Sequence, residues 1–67
     1  MTAARTVRRL TTEEFAAMQG IAPETARKWR RDGRGPAFYR DGEGFIRYRE
    51  DDIEAWERAL RVVPASA

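Results

Sequence analysis

The chain has 67 residues, no cysteine and no histidine, and a net charge of +2 from 13 basic and 11 acidic side chains. A chain this short forms one domain, buries about 60% of its unfolded surface, and draws roughly 3–5 kcal/mol of stability from its core. The composition excludes disulfides and histidine or thiolate metal ligands, and no apolar run is long enough to span a membrane. We therefore expect a cytoplasmic protein without metal, cofactor or membrane contact.

Charge is distributed unevenly along this sequence. Positions 1–9 hold three arginines and no acid, positions 27–34 hold five basic residues, and positions 50–57 hold five acids and no base. Such a dipolar distribution fits a protein that sets one face against a polyanion. The alternative is a solvated surface in an arginine-rich composition, so the positions of the arginines matter more than their number.

The first predicted helix begins in LTTEEFAAMQG, after an extended lead-in over residues 7–10. Thr11 can cap this helix, and Glu14 completes a capping box. Gly20 suits a left-handed helix end. The stripe expected to face the core consists of Phe15, Ala16 and Met18.

A turn of about four residues leads to a second predicted helix, Pro23 to Arg31. Pro23 suits the first helical position because its missing N–H costs nothing there, and Gly33 ends the helix. Ala26 and Trp29 are expected to face the core rather than to stack on bases. The opposite face is polar and mostly basic: Glu24, Arg27, Lys28 and Arg31.

Two short aromatic and β-branched runs, 37–40 and 45–48, flank Asp-Gly-Glu-Gly and predict a β-hairpin. We expect Tyr39 and Phe45 to pack beneath it. A third helix follows, with acids in its first turn and arginines in its last, which complements the helix dipole. Its predicted core stripe is Ile53, Trp56 and Leu60.

The expected fold is mainly α (α+β), a three-helix winged helix-turn-helix with a two-stranded β-hairpin wing in the order α-α-β-β-α. We expect a flexible basic N-terminal segment over residues 1–9, a folded domain over 10–62, and a disordered tail over 63–67.

The basic outer face of the second helix suits the major groove of DNA. Arginine can bind guanine O6 and N7 with two hydrogen bonds, and each such pair contributes roughly 1–3 kcal/mol of discrimination. The hairpin would lie beside this helix as a wing, with Arg40 and Arg47 flanking its tip. Further candidates for phosphate contact are Arg5, Arg8, Arg9, Thr12, Arg30 and Arg34.

Several motifs occur together between Leu10 and Leu60: an LTxEE helix start, Gly20 before an aliphatic residue, a basic helix closed by Gly33, and Gly-Pro-Ala, Arg-Tyr-Arg and Asp-Ile-Glu-Ala-Trp in succession. In this order and spacing they resemble the small winged helix-turn-helix domains of the MerR superfamily, and among them the AlpA-like and phage excisionase branch. The resemblance implies that the second helix docks in the major groove and that the wing lies beside it. It places Pro23, Glu24, Arg27, Lys28 and Arg31 at the groove, with Arg40 and Arg47 on the wing.

The chain departs from this pattern at two places. Ala22 stands where such domains often carry serine or threonine, so the second helix loses that cap, which Pro23 can offset. The wing tip, often basic in these domains, holds Asp41 and Glu43, whose repulsion of phosphates argues against deep insertion of the wing. Glu24 either accepts a hydrogen bond from cytosine N4 or faces solvent.

The resemblance implies a phage or mobile-element excisionase, also called a recombination directionality factor, which binds adjacent DNA sites cooperatively, bends DNA and biases an integrase toward excision. The implied partners are double-stranded DNA, further copies of the chain arranged head to tail on DNA, and a phage integrase, with no small-molecule ligand. Such a protein would be bacterial or phage-encoded and nucleoid-associated. A lone domain without a ligand-sensing or dimerising helix favours this role.

Two alternatives stay open: a small transcriptional regulator of the same fold, and a protein-interaction module that uses the aromatic and acidic surfaces. Catalysis is not expected, because Asp51 and Asp52 point to different sides of a helix and no histidine accompanies them. The glycines between positions 33 and 44 lack the pattern of a phosphate-binding loop. The acids at the start of the third helix either complement its dipole or meet a basic face of a neighbouring protein.

Overall fold

The computed structural model describes residues 7–64. Between these residues the chain forms β1 (Arg9–Leu10), α1 (Thr12–Gln19), α2 (Pro23–Arg31), β2 (Tyr39–Arg40), β3 (Ile46–Arg49) and α3 (Glu50–Leu60). The helices and the β2–β3 hairpin confirm the predicted order and fold class. Residues 1–6 and 65–67 lie outside the description, and with them Arg5 and most of the two predicted terminal segments.

The sheet differs from the prediction because it contains β1 as well as the hairpin. Its strand order is β1-β3-β2, and both pairs are antiparallel. Leu10 of β1 lies opposite Tyr48 of β3, and both side chains are buried. The Glu50 N–H donates to the Arg8 carbonyl at 2.9 Å, which extends the contact to the start of α3. The predicted extended lead-in is therefore paired with the hairpin.

The predicted capping box at the start of α1 is confirmed. The Glu14 N–H donates to Thr11 Oγ1 at 3.0 Å, and the Thr11 N–H donates to Glu14 Oε1 at 2.8 Å. The hydrogen bond from the Thr11 backbone lowers the pKa of Glu14, because it favours the charged carboxylate. These bonds satisfy helix N–H groups that would otherwise lack partners.

The turn between α1 and α2 is fixed by its backbone. Gly20 has φ 72°, and the Ile21 N–H donates to the Ala16 carbonyl at 3.0 Å, which is a Schellman ending. Pro23 occupies the first turn of α2, as predicted, after an Ala22 that offers no side-chain cap. The short turn fixes the angle at which α2 leaves α1, and thereby which face of α2 meets the core.

An aromatic cluster forms the centre of the core. The Phe15 ring stacks on Tyr48 with centroids 4.4 Å apart and meets Trp29 and Trp56 edge-on at 6.4 and 5.9 Å. The fully buried apolar side chains are Leu10, Phe15, Ala16, Ala26, Tyr48 and Ile53, with Ile21, Trp29, Ile46 and Trp56 packed against them. The predicted core roles of Phe15, Ala16, Ala26, Trp29, Ile53 and Trp56 are confirmed.

Two predicted core positions, Met18 and Leu60, are wrong, and so is the expected packing of Phe45 beneath the hairpin. Met18 is 46% exposed, because the buried face of α1 runs through Thr12, Phe15 and Ala16, and Met18 is rotated away from it by the 3.6-residue period. Leu60, the last residue of α3, is 59% exposed at the rim of a cleft, and Phe45 is 59% exposed at the wing tip. No helix in the described part of the chain is long and apolar enough to cross a membrane.

Candidate nucleic-acid interface

The packing of α2 decides which of its side chains can reach a ligand. Ala26 is fully buried, and Trp29 packs on the core from the same side. The opposite side therefore faces solvent and carries Glu24, Lys28 and Arg31, all exposed. Arg27 lies at the flank of this face, half-buried beside α1.

Arg27 is held by two carboxylates from different helices. Its Nη1 donates to Glu24 on α2, three residues earlier, and its Nη2 donates to Glu13 Oε2 on α1 at 3.1 Å. The guanidinium thus bridges the two helices of the motif. The two contacts hold the Arg27 guanidinium between α1 and α2.

Arg30 points inward, unlike its neighbours on α2. Its Nη1 donates to Tyr48 Oη at 2.9 Å and to Thr12 Oγ1 at 3.1 Å. Its guanidinium also lies 5.7 Å from the centre of the Phe38 ring. Two predicted phosphate contacts, Thr12 and Arg30, are therefore bonded to each other within the fold, and they join α1 and α2 to β3.

The acid at the wing tip holds the hairpin turn together. Asp41 Oδ1 accepts from the N–H groups of Glu43 and Phe45 at 2.9 and 3.0 Å, and Oδ2 accepts from Arg47 Nε at 3.1 Å. Arg40 Nη1 donates to the Gly44 carbonyl at 3.3 Å across the same loop. The Asp41 charge is thus directed into the loop and partly neutralised, while Glu43 remains exposed.

The turn bonds predict an acid-sensitive wing. The hydrogen bond from the Phe45 N–H has the largest effect on the pKa of Asp41 and lowers it in the folded protein. The charged Asp41 carboxylate therefore stabilises the folded protein. This stabilisation is complete above the pKa of aspartate in the unfolded chain, near pH 4, and is lost as the pH falls through the lower pKa of the folded protein. We expect Asp41→Asn to be less stable than wild type at neutral pH, with the difference shrinking below about pH 4 in urea unfolding. A constant difference, as expected for the control Glu43→Gln, would contradict this role.

A cleft brings the first turn of α1, the flank of α2 and the wing tip to one opening. Its volume is about 490 Å³, and Arg27 and Arg47 both line it. The exposed Phe45 ring at its edge lies 6.0 Å from the Arg47 guanidinium and was not predicted as a contact. A large apolar ring directly after the Asp-Gly-Glu-Gly turn was the available signal. The lining residues are Thr11, Thr12, Glu13, Arg27, Arg30, Gly44, Phe45, Ile46 and Arg47.

The other predicted cations in the described part of the chain do not line this opening. Lys28 Nζ is 4.0 Å from Asp32, and Arg31 has no ion pair within residues 7–64. Arg8 lies 3.8 Å from Glu14, while Arg9 is on β1. Arg34 lies 5.7 Å from the Trp29 ring and lines a second cleft with Trp56 and Leu60. Arg34 is therefore separate from the Arg27–Arg47 opening.

A family model described as a helix-turn-helix domain matches residues 5–61, which include every helix and strand from β1 to α3. No curated protein sequence and no solved structure matches the chain. The described residues contain no group of three acidic, histidine or cysteine side chains arranged to hold a metal ion.

Proposed function

We propose that this chain, which belongs to the helix-turn-helix domain family, is a sequence-specific, non-catalytic protein that binds double-stranded DNA. DNA is the ligand that a helix-turn-helix domain suggests. The observation that carries the proposal is the common opening of Arg27 on α2 and Arg47 on the wing. With one cation on α2 and one on the wing, both at the same opening, the domain can contact a groove of the duplex and the neighbouring phosphate backbone at the same time.

In the proposed complex α2 docks in the major groove. Pro23 and Glu24 begin α2, and the N-terminal residues of a recognition helix are those that contact base edges. Arg27, Lys28 and Arg31 follow along the same or the adjoining face, where arginine can pair with guanine. Arg31 is well placed for DNA because no ion pair within the described chain engages it.

The wing is proposed to contact the backbone rather than to enter a groove deeply. Arg40 and Arg47 flank its tip and supply positive charge, with Arg8, Arg9 and Arg34 as further phosphate contacts. Glu43 remains exposed at the tip and would repel phosphates. The exposed ring of Phe45 would contact a sugar or a base edge through its apolar surface.

The role we propose is that of a phage or mobile-element excisionase of the MerR superfamily, acting on the nucleoid of a bacterial cell. A domain with few phosphate contacts binds one site weakly, so contacts between neighbouring copies would supply affinity and bend the DNA. The first turn of α3 holds Glu50, Asp51 and Asp52, which could meet a basic surface of the next copy that lies outside the DNA-binding face of α2. An integrase would be the second protein partner. A transcriptional regulator of the same fold is the alternative.

The test is a gel-shift titration with duplexes from the genomic neighbourhood, including any attachment site, at several salt concentrations. Laddered, cooperative complexes at an attachment site that weaken steeply with salt would support the excisionase role. A single complex at a promoter would favour the regulator. Absence of binding at low salt would contradict the DNA-binding proposal and favour a protein-interaction module.

Arg27→Ala should weaken binding to the preferred duplex by about tenfold or more, because it removes a base contact worth roughly 1–3 kcal/mol of discrimination. Binding to a scrambled duplex should weaken much less. Arg58→Ala, which removes one positive charge from the last turn of α3, is the matched control. Equal losses on both duplexes would show that Arg27 contacts only phosphate.

A further inference from the structure

The two carboxylates on Arg27 come from different helices and engage different nitrogens. Nη1 donates to Glu24, and Nη2 donates to Glu13 Oε2 at 3.1 Å. Glu24 lies on α2 and can itself contact a base, whereas Glu13 lies in the first turn of α1. Glu13 therefore reaches across the motif to a side chain that the proposed function assigns to base recognition.

The ion pairs of Arg27 with Glu13 and Glu24 affect its contacts with phosphates and with base edges differently. A guanidinium has five N–H donors, and Glu13 and Glu24 occupy at least two of them. A phosphate that approaches Arg27 must exchange with, or lie beside, a carboxylate of the same charge sign. Guanine O6 and N7 are uncharged acceptors and meet no such repulsion between full charges.

We propose that Glu13 is a specificity-determining residue of the DNA site, which holds Arg27 by Nη2 and so suppresses its contact with phosphates while leaving it available to a base edge. This inference rests on the proposed function. Glu13 lines the same cleft as Arg27 and Arg47, where a duplex backbone would pass. It acts through position and charge and needs no change in the fold.

The expected effect is modest because the pair is partly solvated. The Glu13 side chain is 63% exposed and the Arg27 side chain 41%. Exposed ion pairs of this kind contribute about 0.2–1 kcal/mol, which corresponds to a change of roughly 1.4- to 5-fold in a dissociation constant, or about threefold at the middle of that range. A ratio of two affinities measured under one condition resolves a change of this size.

The test compares Glu13→Gln with wild type on two labelled duplexes: one enriched by the wild type from a random library, and a scrambled duplex of the same composition. We expect Glu13→Gln to tighten scrambled binding by about threefold and enriched binding by less, so that the specificity ratio falls. Glu57→Gln makes the same change in net charge away from Arg27, where Glu57 Oε2 accepts a hydrogen bond at 2.8 Å from Gln19, the last residue of α1. It should leave the ratio unchanged.

The same substitution in an Arg27→Ala background separates the proposed mechanism from a general charge effect. Glu13→Gln should no longer change the specificity ratio there. Equal tightening on both duplexes, or an unchanged effect without Arg27, would overturn the inference while leaving DNA binding intact. If the wild type enriches no sequence, the proposed function itself fails. Thermal melting of each variant verifies that the domain is folded.

Discussion

Replacing Phe15 with alanine is expected to leave the domain largely unfolded at physiological temperature. A buried phenylalanine truncated to alanine costs about 3–5 kcal/mol through lost burial and the cavity that remains. A core in a chain of this length supplies roughly 3–5 kcal/mol in total. The two quantities are equal within their range, so this one side chain decides whether the domain folds.

Phe15 has this effect because its ring contacts an aromatic ring from each of three other elements. The side chain is 1% exposed and contacts Trp29 of α2, Tyr48 of β3 and Trp56 of α3 through their rings. Aromatic pairs in this distance range contribute about 0.5–1.5 kcal/mol beyond area burial. Loss of the Phe15 ring therefore loosens both helices and the hairpin together.

Phe45→Ala is the matched control, since the same ring is removed from a position that is 59% exposed. Far-UV circular dichroism during heating and urea titration should show wild-type unfolding for Phe45→Ala, within about 0.5 kcal/mol. For Phe15→Ala we expect little cooperative transition. A Phe15→Ala protein that melts close to wild type would mean that the core reorganises around the loss.

The features that the sequence predicted well depend on residues close together in the chain. The Thr11–Glu14 capping box, the left-handed Gly20 and Pro23 at the start of α2 each follow from the chemistry of one turn. The inward direction of Ala26 follows from helical period. Such signals do not require knowledge of the tertiary structure.

The features that were missed depend on distant residues. The β1–β3 pair joins two-residue β1 to a strand nearly forty positions later, and a segment this short carries no alternation pattern. The contact between Glu13 and Arg27 likewise requires the angle between α1 and α2. The hydrogen bonds from the turn to the Asp41 carboxylate, which aspartate commonly accepts in turns, were not predicted.

The inward direction of the Arg30 side chain agrees with its position in the helix. A charged side chain on a basic helix favours a surface role, and Arg30 was assigned a phosphate contact. It also lies four residues after the buried Ala26, and positions four apart share a helix face. Its bonds to Thr12 and Tyr48 agree with that spacing.

Arg30→Gln and Arg31→Gln remove the same charge from adjacent positions and should give opposite results. Arg30→Gln is expected to lower the free energy of unfolding by about 2 kcal/mol, because hydrogen bonds to a charged group contribute roughly 1.5–3 kcal/mol. Arg31 is exposed and has no ion pair within the described chain. Its replacement should change stability by less than about 0.5 kcal/mol.

For DNA binding we expect the reverse: Arg31→Gln should have the larger effect and Arg30→Gln the smaller. If Arg31 contacts a phosphate, Arg31→Gln lowers the slope of log affinity against log salt by about 1, since one fewer counterion is released. Arg30→Gln, measured under conditions where it is folded, should leave the slope unchanged, because its Nη1 is bound to Thr12 and Tyr48 rather than directed at solvent. A slope reduced by Arg30→Gln with wild-type stability would return Arg30 to the phosphate contacts. It would also mean that the hydroxyls of Thr12 and Tyr48 hold the helices and β3 together without it.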